Sequence, residues 1–465
     1  MKRVAILLFV FLCILTVEGQ DITGKWYGVL KVPPTELRIV FSITESDSGY
    51  VTTMDSPDQK AFGISTDTTS FEGDKLHIAL TGITYDGVLE DGTIRGIFKQ
   101  SGYEFSLDLS RKKIEKATPK VRPQDPIKPY PYDEEEVIFI NEKAGGIKLA
   151  GTLTLPKGIK NPPVVVLISG SGPQDRNEEV AAFNHRPFLV LSDHLTRNGI
   201  AVLRYDDRGV AASGGTQKGA TSADFATDVE AAVAFLKTRN DIAKSNIGLL
   251  GHSEGGLIAS MVAANDNDIA FIVLLAGPGV DGATVLQTQA RKSGELSGVS
   301  KEVLDFNEDL SIALYEIVKG EKDKGILKNK IATYLENFRT RSSSIYASTI
   351  TEDLIKMQVE GLSSTWLSYF IRTNPDMFLS KVNCPVLALN GKNDFQVLPK
   401  LNLEAIEKSL KKAGNKDITT LELEGLNHLF QTAETGSLEE YGSIEETFSP
   451  KAMALITKWI LERVE

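Results

Sequence analysis

The stretch Leu249-Leu-Gly-His-Ser-Glu-Gly-Gly-Leu-Ile258 decides the fold of this chain. It carries the pattern G-x-S-x-G, from Gly251 to Gly255. A short apolar run precedes it (Asn246-Ile-Gly-Leu-Leu250), and a run rich in Ala, Leu, Ile and Met follows it (Glu254 to Ala264). The first run suits a buried strand and the second a helix. A serine on so sharp a strand-to-helix turn sits in strained backbone, with its hydroxyl projected above the sheet. Glycine is required at 251 and 255 because side chains there would collide as strand and helix close up. The spacing therefore marks Ser253 as a nucleophile, against the plainer reading of a tight turn that a serine caps.

A serine hydroxyl is a poor nucleophile at neutral pH and needs a histidine base, which in turn needs an acid to orient it. Five histidines are available: His77, His185, His194, His252 and His428. His77 alternates with Leu76, Ile78 and Leu80, so it points to the far face of a strand. His185 and His194 read as ordinary loop or helix-face residues, and His252 as packing, splayed away from Ser253 by the turn. His428 lies in Gly425-Leu-Asn-His-Leu-Phe-Gln431, just past the strand-like Ile418 to Glu424, and is the expected base. The acid is Asp394, at the end of the apolar run in Cys384-Pro-Val-Leu-Ala-Leu-Asn-Gly-Lys-Asn-Asp394. Catalytic groups of open parallel sheets collect at that edge, and the order Ser, Asp, His is that of the α/β-hydrolases. An oxyanion hole needs two backbone donors. One is the Glu254 amide; the other falls in Ser169-Gly-Ser-Gly-Pro173, after the buried strand Pro163 to Ile168, and is assigned to Ser171, with Gly172 the near alternative. A phosphate-binding reading of that loop lacks G-x-G-x-x-G or G-K-[ST].

Residues from about 135 onward resemble the α/β-hydrolase fold, in its secreted carboxylesterase branch related to dienelactone hydrolases and prolyl-oligopeptidase-like hydrolases. The resemblance rests on Ser169-Gly170-Ser171-Gly172, Arg204-Tyr-Asp-Asp-Arg-Gly209, Gly251-His-Ser-Glu-Gly255, Asn390-Gly-Lys-Asn-Asp394 and Gly425-Leu-Asn-His428. It implies a Ser253–Asp394–His428 esterase that needs no metal and no cofactor. Many relatives open the oxyanion loop with His-Gly; Ser169-Gly170 stands here instead, which preserves the backbone donor but not its neighbour.

The 465 residues are enough for two or three units with a sizeable core. Met1 to Gly19 reads as a secretory signal peptide, with Lys2 and Arg3 ahead of an apolar run from Val4 to Val17 that is short for a bilayer span. Its removal takes Cys13 and leaves Cys384 alone, so no internal disulfide, no stable membrane anchor and a secreted or periplasmic setting are expected. A net charge of −11 without a basic cluster argues against nucleic acid and anionic membranes.

Residues 20–110 alternate apolar and polar (Leu37, Ile39, Phe41, Ile43; Phe105, Leu107, Leu109) between turns such as Tyr85-Asp-Gly87, the pattern of a small antiparallel β domain. Trp26, Tyr27, Tyr50, Tyr85 and Tyr103 could line a sugar-binding face or pack the core. Pro119, Pro123, Pro126, Pro129 and Pro131 mark 111–134 as a stiff, extended linker. The catalytic domain then spans 135–465. Within it, about 284–380 is helical and too long for a simple crossover, so a helical cap over the strand ends is expected. There Trp366, Tyr369 and Phe370 fall on one helix face and could line the substrate pocket. The expected fold is thus α/β: a mostly parallel, doubly wound α/β-hydrolase sheet, a helical cap insertion and a small N-terminal β domain. The expected chemistry is hydrolysis of a small ester, acylated carbohydrate among the candidates. A secreted peptidase and a glycan-binding protein without catalysis remain as alternatives.

Overall fold

The computed structural model describes residues 21–464 apart from 33–34, 48, 60, 101–102, 116–121 and 342–344. The expected signal peptide lies outside the described residues. The chain divides into two compact units, Met1–Thr118 and Pro119–Glu465.

In the first unit nine antiparallel strands run from Gly24–Val32 to Tyr103–Ser110. Each pairs with a sequence neighbour except that Gly24–Val32 also meets Tyr103–Ser110, which brings the two ends of the strand series together. The alternation does what period two demands: Leu76, Ile78 and Leu80 are buried, while His77 faces the other way and meets Asp86 with Nδ1 at 2.6 Å from Oδ1. Trp26, Phe41 and Tyr85 belong to this unit's core, as packing residues rather than a ligand face, whereas Tyr103 is exposed.

The second unit is built on eight strands: β1 (Asp133–Asn141), β2 (Ile147–Leu155), β3 (Val164–Ile168), β4 (Ala201–Tyr205), β5 (Ile247–His252), β6 (Phe271–Leu275), β7 (Val386–Gly391) and β8 (Ile418–Leu423). Their order is β1-β2-β4-β3-β5-β6-β7-β8; β1–β2 and β2–β4 are antiparallel and the remaining pairings parallel. Helices α1 (Pro187–Arg197), α2 (Ser222–Thr238) and α3 (Glu254–Ala263) follow β3, β4 and β5. The cap consists of α4 (Gly282–Leu296), α5 (Lys301–Gly320), α6 (Lys324–Arg341), α7 (Glu352–Leu362), α8 (Thr365–Arg372) and the short α9 (Asp376–Leu379), all between β6 and β7. After them come α10 (Pro399–Lys412), α11 (Leu438–Tyr441) and α12 (Pro450–Val464).

The central strands are apolar throughout because both faces are covered. Val166, Leu249 and Leu274 pack with α2, α3 and α10 on one side. Val165, Leu250 and Val273 pack with Leu191 of α1 and Ile456 and Ile460 of α12 on the other. Burying one such side chain stabilises by roughly 1.5–3 kcal/mol relative to exposing it. The cap has its own small core, including Val318, Leu327, Ile331 and Ile371.

The stiff, extended linker is expected over 111–134; from Arg122 onward this stretch makes its contacts within the second unit. Arg122, 2 % exposed, donates to the carbonyls of Phe183 and Ile444; Gln124 donates to the Phe448 carbonyl at 2.7 Å, and the Tyr132 hydroxyl to Asp193 at 2.9 Å. An extended segment poor in internal hydrogen bonds spends its side-chain donors on a neighbouring groove, and its proline content reads the same either way.

Candidate active site

Ser253 sits at φ 53°, ψ −121°, between the end of β5 and the start of α3. The turn is crowded: a Cβ on Gly251 would lie 2.0 Å from the Gly255 carbonyl oxygen, and one on Gly255 would lie 2.2 Å from that of Ile168. Both glycines are thus demanded by close approach of backbones. The Ser253 amide donates to the Leu275 carbonyl at 2.8 Å, which ties the elbow to β6.

Asp394 follows β7 in a tight turn, where Oδ1 accepts from the amides of Gln396 (2.7 Å) and Val397 (3.0 Å). Its other oxygen meets His428 Nδ1 at 2.8 Å; both side chains are almost fully buried. The acid therefore fixes the ring orientation through Nδ1. Ser253 and His428 open onto one cavity of about 460 Å³. Among the described residues no hydrogen bond joins Ser253 Oγ to His428 Nε2; catalytic contacts of this kind commonly tighten only around a substrate.

The loop after β3 is held at three points. Ser169 Oγ donates to Asp207 Oδ1 at 2.8 Å, the Gln174 amide donates to Asp207 Oδ2 at 3.1 Å, and the Gly170 amide donates to Glu178 Oε1 at 2.8 Å. Between these anchors the Ser171 amide has no acceptor among the described residues and lies on the cavity wall. The Glu254 amide opens α3, where the first N–H groups lack intrahelical acceptors. Gly172, the alternative donor, is at φ 98°. Burial, with the nearby Glu178 and Asp228 charges, pushes the Asp207 carboxyl up to about 7 despite the Ser169 and Gln174 hydrogen bonds. Asp206 is different in kind: it takes the Arg176 guanidinium through both oxygens.

The cap closes one side of the cavity with Trp366 and Phe370, whose rings stack at 5.7 Å. Trp366 Nε1 donates to both Glu254 oxygens, at 2.9 and 3.2 Å, and Ser222 Oγ reaches the same carboxylate at 2.6 Å. Tyr369 does not join them. It is not among the residues lining the cavity and, like Phe370, packs against the core under the sheet. His252 is also more than packing. Its Nδ1 lies 2.9 Å from Glu178 Oε1, its Nε2 3.0 Å from the His428 carbonyl oxygen, and its ring 4.8 Å from the His428 ring. Glu178, in an aperiodic loop, gave no sequence signal beyond its place a few residues after the glycine-rich turn.

The family model for the serine aminopeptidases, S33, matches residues 186–434, a range that holds the elbow, the cap, Asp394 and His428. The chain belongs to this family of α/β-hydrolases. Esterase EstD of Thermotoga maritima is 26% identical over 306 residues, covering 65% of this S33 chain; the chain spans about 61% of that protein's length. Among solved structures, the Pyrococcus furiosus esterase Pf2001 aligns at 15% identity and a TM-score of 0.44, covering 76% of this chain and 97% of that one. Est1E from Butyrivibrio proteoclasticus, with ferulic acid bound, aligns at 17% identity and a TM-score of 0.38, covering 70% and 97%.

Proposed function

We propose that this chain is a serine carboxylesterase acting on small, neutral, short-acyl esters. Ser253 attacks the ester carbonyl while His428 Nε2 takes the hydroxyl proton. Asp394 holds the ring and stabilises the imidazolium, and the Ser171 and Glu254 amides receive the oxyanion. His428 then hands its proton to the leaving alcohol. Water, deprotonated by the same nitrogen, attacks the acyl-enzyme and releases the acid and free Ser253. The reading is carried by the buried 2.8 Å His428–Asp394 contact together with a serine on a strained elbow, His428 and Ser253 lining one cavity.

The family's description raises aminopeptidase action as the second reading. An aminopeptidase must grip an α-ammonium group, normally with a carboxylate. The cavity's two glutamates are both drawn into other contacts: Glu178 through Oε1 by His252 and the Gly170 amide, Glu254 by Trp366 and Ser222. What remains around Ser253 is apolar (Val285, Leu286, Trp366, Phe370) or neutral (Gln174, Gln289). That lining favours an uncharged ester, and acylated carbohydrate fits it among natural candidates, consistent with the secreted or periplasmic setting proposed from the leader.

The test is steady-state hydrolysis of p-nitrophenyl esters from acetate to laurate beside alanyl-prolyl p-nitroanilide, with Ser253→Ala as the blank. Short esters should turn over, the anilide should not, and the variant should lose about four orders of magnitude or more in kcat. Retained activity in Ser253→Ala, or anilide cleavage matching ester cleavage, overturns the reading.

A further inference from the structure

A second histidine–carboxylate pair borders the cavity beside the nucleophile, unused by the chemistry above. His252 and Glu178 are 7 % and 4 % exposed. The His252 ring spans two acceptors, Glu178 Oε1 at 2.9 Å and the His428 carbonyl oxygen at 3.0 Å. A backbone carbonyl only accepts, so Nε2 carries a hydrogen. Glu178 Oε1 also receives the Gly170 amide at 2.8 Å, and a second hydrogen, on Nδ1, makes the ring a cation that donates to the same oxygen. Burial works against that charge on His252. The Glu178 charge and hydrogen bond, the His428 carbonyl and the Asp394 charge outweigh it and hold the ring's proton affinity above the ordinary histidine value. Glu178 itself is kept at φ 51°, a left-handed conformation that a non-glycine residue holds only where its surroundings over-determine it.

We propose that Glu178 and His252 form a positioning pair that fixes the oxyanion loop and the histidine base in register about Ser253. The proposal rests on the esterase reading of the site. One continuous path leads from Gly170, the neighbour of the Ser171 donor, through the Glu178 carboxylate and the His252 imidazole to the main chain of His428. His252 also immediately precedes Ser253. Donor, nucleophile and base are therefore all held against the same ring. Glu178 Oε1 and both ring nitrogens of His252 are spent on each other and on main chain, and through those atoms the pair acts on the loop and the base.

Two variants cut the path at different places. Glu178→Gln keeps the side chain's size but removes the charge, so His252 must give up its Nδ1 proton or stand as a lone buried cation. His252→Gln keeps a donor toward the His428 carbonyl and withdraws the one toward Glu178. The experiment measures kcat and KM on p-nitrophenyl acetate for the wild type, both variants and the double variant, with melting temperatures and stoichiometric fluorophosphonate labelling of Ser253. Each single variant should lower kcat about 10- to 100-fold per labelled site and move KM less than about threefold, as small misplacements of working groups do. The double variant should be no worse than the poorer single one, because both break one shared contact. If Glu178→Gln does not fold, His252→Asn serves in its place; it keeps the donor toward Glu178, abandons the His428 carbonyl, and should show the same kcat loss. The proposal is overturned if the single variants keep kcat within about threefold, if the loss merely follows the fraction of labelled sites, or if the losses multiply in the double variant. A wild type without esterase activity refutes the underlying reading; an active wild type with indifferent variants refutes this proposal alone.

Discussion

Gly255→Ala puts the elbow under direct load. The new methyl would start 2.2 Å from the Ile168 carbonyl oxygen and 2.7 Å from that of Ser169, where contacts below 3.0 Å are essentially never tolerated. Relief needs a movement of at least about 0.8 Å, the difference between 3.0 and 2.2 Å. The neighbour is backbone at the end of β3, so no side chain can rotate away. Either α3 lifts from the sheet or the strand end retreats, and the strand end leads straight into the Ser169–Gln174 loop. Overpacking of this kind costs about 1–3 kcal/mol. A displacement near 1 Å between nucleophile and oxyanion donors costs about 100-fold in rate. The expected result is a folded protein with a lowered melting temperature, Ser253 still labelled by a fluorophosphonate, and kcat on p-nitrophenyl acetate down about 100-fold. Gly361→Ala is the internal control: a methyl there meets nothing within 4 Å in exposed α7, so it should leave activity alone and stabilise by up to about 1 kcal/mol. If Gly255→Ala matches the wild type in both melting temperature and kcat, the account of why glycine stands at 255 is wrong.

Other outcomes follow from the same geometry. Trp366→Phe removes the indole donor from Glu254, leaving the buried carboxylate with Ser222 as its remaining side-chain donor. It should destabilise by about 1–3 kcal/mol and speed amide exchange in α8; unchanged exchange would mean that the cap is held by its apolar contacts alone. Asp207, whose carboxyl is pushed up to about 7, keeps its proton in the folded protein where the unfolded chain, at its ordinary 3.8, has lost it. The native state therefore loses stability as pH rises from about 4 to 7. Asp207→Asn cannot ionise, so its melting temperature relative to wild type should climb from about pH 5 to about pH 8; a constant difference would show that Asp207 is ionised throughout.

Much of the fold was legible because its signals are local. Val164–Ile168, Ile247–His252 and Val386–Gly391 are unbroken apolar runs, as strands covered on both faces must be. Ser253 and Asp394 stand just beyond such runs and His428 just beyond the half-exposed strand Ile418–Leu423, so position along the chain already placed them on one sheet edge. Glu178 had no such anchor. It reaches the elbow only because its loop folds back in a left-handed conformation without glycine, which no periodicity announces. His252 was misread from adjacency alone, since neighbours on a sharp turn diverge and their partners come from elsewhere in the chain. For Trp366, Tyr369 and Phe370 spacing defines a helical stripe, but not how much of the stripe the cavity takes; its lining holds Trp366 and Phe370. The segment after Arg122 shows that composition specifies an extended backbone without saying what it lies against.

The bond from Trp366 to Glu254 limits how this enzyme could be re-tooled. Cap insertions invite treatment as interchangeable modules, to be grafted where a different pocket is wanted. Here the residue that follows the nucleophile is a buried acid, and one of its two side-chain partners belongs to the cap. A transplanted cap without a donor at that point would leave this acid, beside the proposed oxyanion site, with Ser222 as its remaining side-chain donor. Recombination at this boundary would therefore have to carry position 254 along with the insertion.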